Sequence, residues 1–189
     1  MKSAAVLFAL SLAPAWAQLP RPPAPAPAAA PPAAVAPTEK PRVPRQTLGN
    51  LEKHLDTMLA SLGGANDPID MLGATRGIYL DGYGAVFTTE ASLIVTPTIN
   101  PFHAAITEPE KVKVHQRKLD RLPQLKQLMR DMWRDSATAL TSIPDNQQVV
   151  IAVRLMYLPW EDTRGLPGEI VVKGVRRAAV TGAVQTEEQ

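Results

Sequence analysis

The first regular pattern of apolar residues along the chain predicts an amphipathic helix over residues 47–62. Leucines recur there at steps of three or four, so they form one stripe on a helical surface. Thr47 is a suitable N-cap, and the Gly63-Gly64 pair ends the pattern. The stripe, which we expect to pack against a core, consists of Leu48, Leu51, Leu55, Leu59 and Leu62.

Aromatic and β-branched residues dominate the next stretch, 76–95, and this composition predicts a β-hairpin. We expect one strand near 76–80 and a second near 85–95, with Asp81-Gly82 in the turn between them. Three glycines lie close together around that turn, which indicates positive φ angles or a close approach of two backbones.

A second, longer helix is predicted to begin at Thr107, because Glu110 follows three residues later in a capping-box arrangement. Pro123 falls inside the helical pattern and is expected to kink or restart the helix. The pattern stops at Pro144-Asp145-Asn146. Its apolar face is made of Leu125, Leu128, Met129, Met132, Trp133, Ala137 and Leu140.

Two further strands are predicted, and with them the fold class. Residues 148–158 are apolar on both faces, as in a central strand that is covered on both sides, and residues 169–173 form a second strand. Residues 176–184 either extend that strand or form a short helix. The order α-ββ-α-ββ therefore predicts an α+β fold, with an antiparallel sheet of about four strands and helices packed on one face.

The chain begins with a pattern that is typical of a secretory signal peptide over residues 1–17. Lys2 is followed by an apolar run over residues 4–13, and Ala15-Trp16-Ala17 matches the small-x-small cleavage pattern. The run is shorter than the roughly 20 residues that a spanning helix needs. We therefore expect a periplasmic or secreted protein, the alternative being an N-terminal anchor that is not cleaved.

The segment 18–45 is predicted to be a disordered tether, rich in polyproline II structure. It contains ten prolines and eight alanines between Leu19 and Arg45. Such a composition buries too little apolar surface to offset the entropy lost when the chain becomes ordered. It either holds the domain away from a surface, binds a proline-recognising partner, or has no partner. The remaining organisation is a single domain over residues 46–184 and a disordered tail over residues 185–189.

Composition excludes several kinds of chemistry. The chain has no cysteine, which excludes disulfides, thiolate nucleophiles and cysteine metal sites, and a net charge of +2 gives no general attraction to nucleic acid. The three histidines, His54, His103 and His115, lack the spacing of metal-binding motifs. Since no nucleophile elbow or phosphate-binding loop occurs either, no cofactor and no metal site are expected.

Two groups of residues are candidates for a site. Tyr83 and Glu90 in the hairpin, with His103, are the basis for an enzyme hypothesis, since a buried carboxylate beside a tyrosine can transfer protons. The segment between residues 111 and 130 contains seven basic residues and only one acidic residue, Asp120. Arg117, Lys118 and Arg121 are the candidates there for binding an anionic envelope component. A solvated helix face is the alternative for this segment.

Trp160 lies in a loop, where it either docks a partner or, as we expect, packs against the helix.

Residues 77–87 (GIYLDGYGAVF) and 169–177 (EIVVKGVRR) resemble a group of exported bacterial proteins without established activity. The resemblance implies an exported α+β domain and supplies no catalytic residues. The function that we expect is therefore a non-enzymatic binding or scaffolding domain of the cell envelope, with an anionic component or a protein as partner and no nucleic acid. The alternatives are a small enzyme built around Tyr83 and Glu90, and self-association through exposed strand edges.

Overall fold

A computed structural model describes residues 42–64, 67–98 and 105–189 of the chain. In chain order the elements are α1 (Arg45–Ala60), β1 (Asp70–Met71), β2 (Arg76–Leu80), β3 (Gly84–Ser92), α2 (Glu108–Ala139), β4 (Gln148–Leu155), β5 (Glu169–Val175) and β6 (Gln185–Glu188). A short 3-10 helix, Arg176–Ala179, separates β5 from β6. The fold class is therefore α+β, as the sequence predicts.

The sheet is mixed, and in this respect the predicted antiparallel sheet of about four strands is wrong. Six strands form one sheet in the order β1-β3-β4-β5-β6, with β2 also paired to β3. The pair β3–β4 is parallel, and every other pair is antiparallel. The reason is the connection: α2 carries the chain back past the sheet, so that β4 starts beside the start of β3 and runs in the same direction.

The core lies between the two helices and one face of the sheet, which we call the inner face. Phe87 of β3, Ile151 of β4 and Val172 of β5 all point to this side and are almost fully buried. The predicted leucine stripe of α1 and the apolar face of α2 join the same cluster. Trp133 is buried there too, and its indole N–H donates to the Val149 carbonyl at 2.8 Å.

The start of α2 agrees with the sequence prediction, but Pro123 does not interrupt the helix. The Glu110 carboxylate accepts a hydrogen bond from the Thr107 N–H at 2.8 Å, as part of the expected capping box. The helix then continues through Pro123 to Ala139. Pro123 is on the exposed side, so water can reach the Leu119 carbonyl that has lost its donor.

Both predicted boundaries of the domain need correction within the described residues. The tail expected to be disordered from Gln185 onward forms strand β6, in which Thr186 pairs with Val172 of β5. At the other end, Val43 packs against the core and α1 begins at Arg45, inside the predicted tether. The predicted signal peptide and residues 18–41 lie outside the described residues.

A buried carboxylate joins α1 to the hairpin. Both oxygens of Glu52 accept from the Arg45 guanidinium, at 2.7 and 2.9 Å, and Oε1 also accepts from the Gly77 N–H at 2.7 Å. Burial raises the pKa of Glu52, but these hydrogen bonds and the charges of Arg45 and Arg76 together outweigh it, so the net pKa lies below 4.5. The charged form of Glu52 therefore stabilises the folded state.

We expect this link to make stability fall as the solution becomes acidic. The pKa of Glu52 is lower in the folded than in the unfolded chain, so its contribution is present above pH 4.5 and is lost as the pH falls through the folded value. Urea unfolding at a series of pH values below neutrality tests this. The Glu52→Gln variant should show a smaller loss between neutral and acid pH, and an unchanged pH dependence would contradict the assignment.

None of the helices in the described part of the chain combines the length and the apolar character that crossing a bilayer requires.

Candidate functional site

The basic residues predicted to bind an anion are engaged inside the domain. Arg121 is buried and bonds to Asp67 twice, to its carboxylate at 2.6 Å and to its carbonyl at 2.9 Å. Arg117 forms an ion pair with the other carboxylate oxygen of Asp67. Since all three charges are paired within the fold and Lys118 and Arg121 are buried, Arg117, Lys118 and Arg121 do not form one exposed basic surface, although the Arg117 side chain is 37% exposed. The solvated face expected as the alternative fits other members of the segment, such as the exposed Lys113.

Lys118 is the most unusual of these residues, because its side chain is 0% exposed. It forms an ion pair with Glu161, which is 1% exposed and lies in the loop after β4. Its Nζ also donates to the Ser92 hydroxyl at 3.1 Å and lies 4.8 Å from the centre of the Tyr157 ring. Burial lowers the pKa of Lys118, and the Glu161 carboxylate opposes that shift.

The sequence does contain a signal for this burial. Val114, Lys118 and Leu122 follow one another at steps of four, so they share a helix face, and all three are buried. A lysine in the centre of an apolar stripe indicates either a long side chain that reaches solvent or a buried partner. The number of charges along α2 does not carry this signal, because it leaves out the helix face that each charge occupies.

Ser92, Lys118 and Glu161 meet at the carboxyl ends of the parallel strands β3 and β4, a place where α/β sheets commonly bind ligands. A cavity of about 180 Å³ adjoins them, lined in part by Tyr157 and Met156. A serine beside a lysine serves as a nucleophile only if the lysine is neutral and can accept its proton. Burial lowers the pKa of Lys118 overall, although Glu161 opposes that shift, and the ion pair of the two residues acts as a clamp between α2 and the loop.

Tyr157 reinforces the same clamp. Burial and the nearby Glu161 raise the pKa of Tyr157 to about 12, so its hydroxyl stays protonated near neutral pH. That hydroxyl donates to the Pro167 carbonyl at 2.7 Å, which fixes the far end of the loop.

The hairpin residues proposed for catalysis do not converge. Tyr83 lies in the turn before β3, whereas Glu90 lies near the other end of that strand, about 20 Å away at the usual rise of a strand. Glu90 faces Arg154 across the sheet at 3.8 Å, and both side chains are more than half exposed. His103, the third member of that hypothesis, lies outside the described residues.

The second face of the sheet, which we call the outer face, is apolar at its centre. Val86 of β3 pairs in register with Val150 of β4, and Thr88 pairs with Ala152. Ile78 of β2 lies beside Val86 and is 53% exposed. The described helices pack against the inner face, so none of them covers this apolar stripe.

Charged side chains lie at one end of the apolar centre of the outer face. They line a hollow of about 460 Å³ at the end of the face formed by Thr88 and Ala152. Its charged members are Arg76, Glu90, Arg154 and Glu169, two of each sign. A surface with an apolar centre and a charged rim of both signs has the composition of a protein–protein interface.

A separate cleft lies where α2 begins. It has a volume of about 290 Å³ and is lined by Glu108, Lys111, Val112, His115, Trp160, Asp162 and Arg164. Trp160 is half-buried at its wall, so the expected packing against the helix leaves part of the ring open to the cleft.

The described residues contain no group of three or more His, Cys, Asp or Glu side chains that is placed to hold a metal ion. No family model matches the chain, and no curated protein or solved structure matches it at a significant level. The surfaces and clefts described above are therefore the features that bear on function.

Proposed function

We propose that this protein is an exported, non-enzymatic scaffold domain of the cell envelope, which pairs with a second copy of itself through the outer face of its sheet. The N-terminal pattern of Lys2, the apolar run and Ala15-Trp16-Ala17 supports export. The single observation that carries the proposed pairing is the apolar stripe across the outer face, which the described helices leave uncovered.

Strand β4 supports this proposal most directly, because it is apolar on both sides. Val149, Ile151 and Val153 face the core, while Val150 and Ala152 face outward. A strand that is covered by water on one side usually alternates apolar and polar residues, whereas an apolar strand on both sides indicates cover on both. Val150 and Ala152 are only 7% and 9% exposed, whereas Ile78 on the same face is 53% exposed, so a second protein surface would complete the cover.

The charges on the outer face favour a second copy as the partner. Glu90 and Arg154 occupy the same register position on neighbouring strands, β3 and β4. A two-fold axis parallel to these strands, between them, sets Glu90 of each copy opposite Arg154 of the other. The same axis sets Val86 opposite Val150, so along these two central strands apolar residues meet apolar residues and charges meet opposite charges. Such a stack of two sheets keeps the strands nearly aligned, as in a β-sandwich.

The size of the face predicts a weak dimer. Strand spacing and rise give the outer face an extent of roughly 20 by 20 Å, or about 400 Å². Stable interfaces bury about 800 Å² on each partner, so this one belongs among the small, reversible interfaces. We therefore expect dissociation constants in the micromolar range or weaker.

Sedimentation velocity from about 1 µM to about 1 mM tests the pairing, because this range brackets a weak dimer. We expect the purified protein to shift from monomer to dimer across that range. Arg154→Glu should weaken the dimer at least about tenfold, since it creates a like-charge contact with Glu90 of the second copy. The double variant Glu90→Arg/Arg154→Glu should restore dimerisation, because it exchanges the two charges.

Two further variants complete the design. Val86→Glu should abolish the dimer because it places a charge in its apolar centre, whereas Val180→Glu should not, since Val180 is 93% exposed and lies outside the outer face. A protein that remains monomeric throughout the range overturns the proposal. A dimer that is indifferent to Val86→Glu and Arg154→Glu also overturns it and indicates pairing through the edge strands β2 or β6.

A further inference from the structure

The cleft at the start of α2 combines an aromatic wall with paired polar groups. Trp160 comes from the loop after β4, and His115 comes from α2. The two elements are held together beside the cleft by a hydrogen bond of 2.8 Å between His115 Nδ1 and the Asp162 carbonyl. The Lys118–Glu161 clamp lies one helical turn further along α2, so the cleft has a rigid base.

Trp160 offers a ligand both a flat apolar surface and a donor. Its indole N–H makes no hydrogen bond within the described part of the chain, in contrast to that of the buried Trp133. The face of an indole ring carries partial negative charge, which attracts the slightly positive C–H groups of a saturated ring. A ligand that lies on Trp160 therefore needs a face made of C–H groups.

The rest of the cleft offers donors and acceptors in pairs. The Arg164 guanidinium makes a two-pronged contact with the Asp162 carboxylate, with Nε at 3.0 Å and Nη2 at 2.6 Å from Oδ2. His115 uses Nδ1 as the donor to the Asp162 carbonyl, which leaves Nε2 as the other polar atom of its ring. A planar pair of this kind presents both donors and acceptors to neighbouring hydroxyl groups.

The ligand that fits these features is neutral. Lys111 is paired with Glu108 at 2.6 Å and Arg164 with Asp162, so the cleft carries two charges of each sign and no excess. A phosphate or a sulfate would compete with carboxylates that are already bound to the cations. The volume of 290 Å³ lies at the lower end of small-molecule sites, which suits one sugar ring rather than a long segment.

We infer that this cleft binds a pyranose ring of a neutral polysaccharide, with one face of the sugar stacked on Trp160 and its hydroxyl groups bonded to Asp162, Arg164 and His115. This role is independent of the proposed pairing, because the cleft is built from α2 and the loop after β4, whereas the pairing uses the outer face.

Saturation-transfer NMR with N-acetylated chitotriose and with cellotriose tests the inference on the full-length protein. We expect saturation of the C–H protons of one ring, with a dissociation constant of about 1 mM, typical of a small neutral ligand in an open cleft. Trp160→Ala should weaken binding at least about tenfold, a loss of about 1.4 kcal/mol. Trp160→Phe should retain part of the affinity, since it keeps an aromatic face and loses only the N–H.

Arg164→Met provides a second test that does not depend on the loop's packing, since the Arg164 side chain is 89% exposed. It should weaken sugar binding several-fold and leave the thermal unfolding midpoint unchanged. The inference is overturned if neither sugar receives saturation. It is also overturned if the Trp160→Ala and Arg164→Met variants both bind the sugars as tightly as the unmodified protein does. Binding of inorganic phosphate that is lost in the Arg164→Met variant, without any binding of the sugars, would assign the cleft to anions and equally overturn it.

Discussion

Replacing Lys118 with methionine should lower the free energy of unfolding by about 3 to 5 kcal/mol, the usual cost of removing one partner from a buried ion pair. The substitution keeps an unbranched side chain of similar length but leaves the Glu161 carboxylate, 1% exposed, without its cation. The Ser92 hydroxyl also loses the donor that it has at 3.1 Å. Urea unfolding at neutral pH measures the loss directly.

The double variant Lys118→Met/Glu161→Leu separates the cost of an orphaned charge from the value of the pair. It removes both charges from the same buried position, and replacing both partners by apolar groups is often close to neutral. We expect it to be clearly more stable than Lys118→Met alone. If both variants lose the same free energy, the Lys118 side chain contributes by packing and not by its charge.

The second large effect is expected at Gly84, where β3 begins beside β4. Its φ is +138°, a conformation that residues with a side chain rarely adopt. A Cβ at this position would lie 2.7 Å from the Gln148 carbonyl carbon and closer still to the carbonyl oxygen. Gly84→Ala should therefore cost about 3 kcal/mol or more, because backbone strain and a clash with the backbone of β4 add together.

Gly82→Ala is the matched control for that experiment. Gly82 also has a positive φ, +77°, but a Cβ there would meet no atom within 4 Å. Its substitution should cost only about 1 kcal/mol, the price of the left-handed conformation alone. Thermal and urea unfolding of the two variants give the difference, and equal losses would show that the close approach of Gly84 to Gln148 has no energetic effect.

The local elements of this fold could be predicted from the sequence because each depends on neighbouring residues. The leucine stripe of α1, the turn after β2 and the Glu110 bond at the start of α2 are all encoded within a few positions. The pairing of β3 with β4 is encoded by no such neighbourhood. Strand β6 has no such local signal either, because its polar residues 185–188 are held by strand pairing with β5 and not by an apolar pattern.

The candidate site was harder to predict, because its partners are remote in sequence. The charge of Lys118 is neutralised by Glu161 and that of Arg121 by Asp67, more than forty residues away in each case. The sequence indicates Trp160 as a notable loop residue, but its place beside His115 depends on how the loop after β4 folds back onto α2. The number of charges along a helix does not reveal such partners. The helix face that each charge occupies is more informative, and for Lys118 it indicates burial.

The parallel pairing of β3 with β4 also bears on how the chain reaches this structure. Ala85 and Val149 lie side by side in the sheet, and closing a loop of about 60 residues costs entropy before any contact between them compensates for it. Folds dominated by such distant pairs form in milliseconds to seconds, more slowly than helical bundles. During synthesis the N-terminus emerges first, so the edge of β3 that pairs with β4 stays exposed until the end of β4, Leu155, has emerged. The central pair of the sheet therefore forms late, when nearly the whole domain is available.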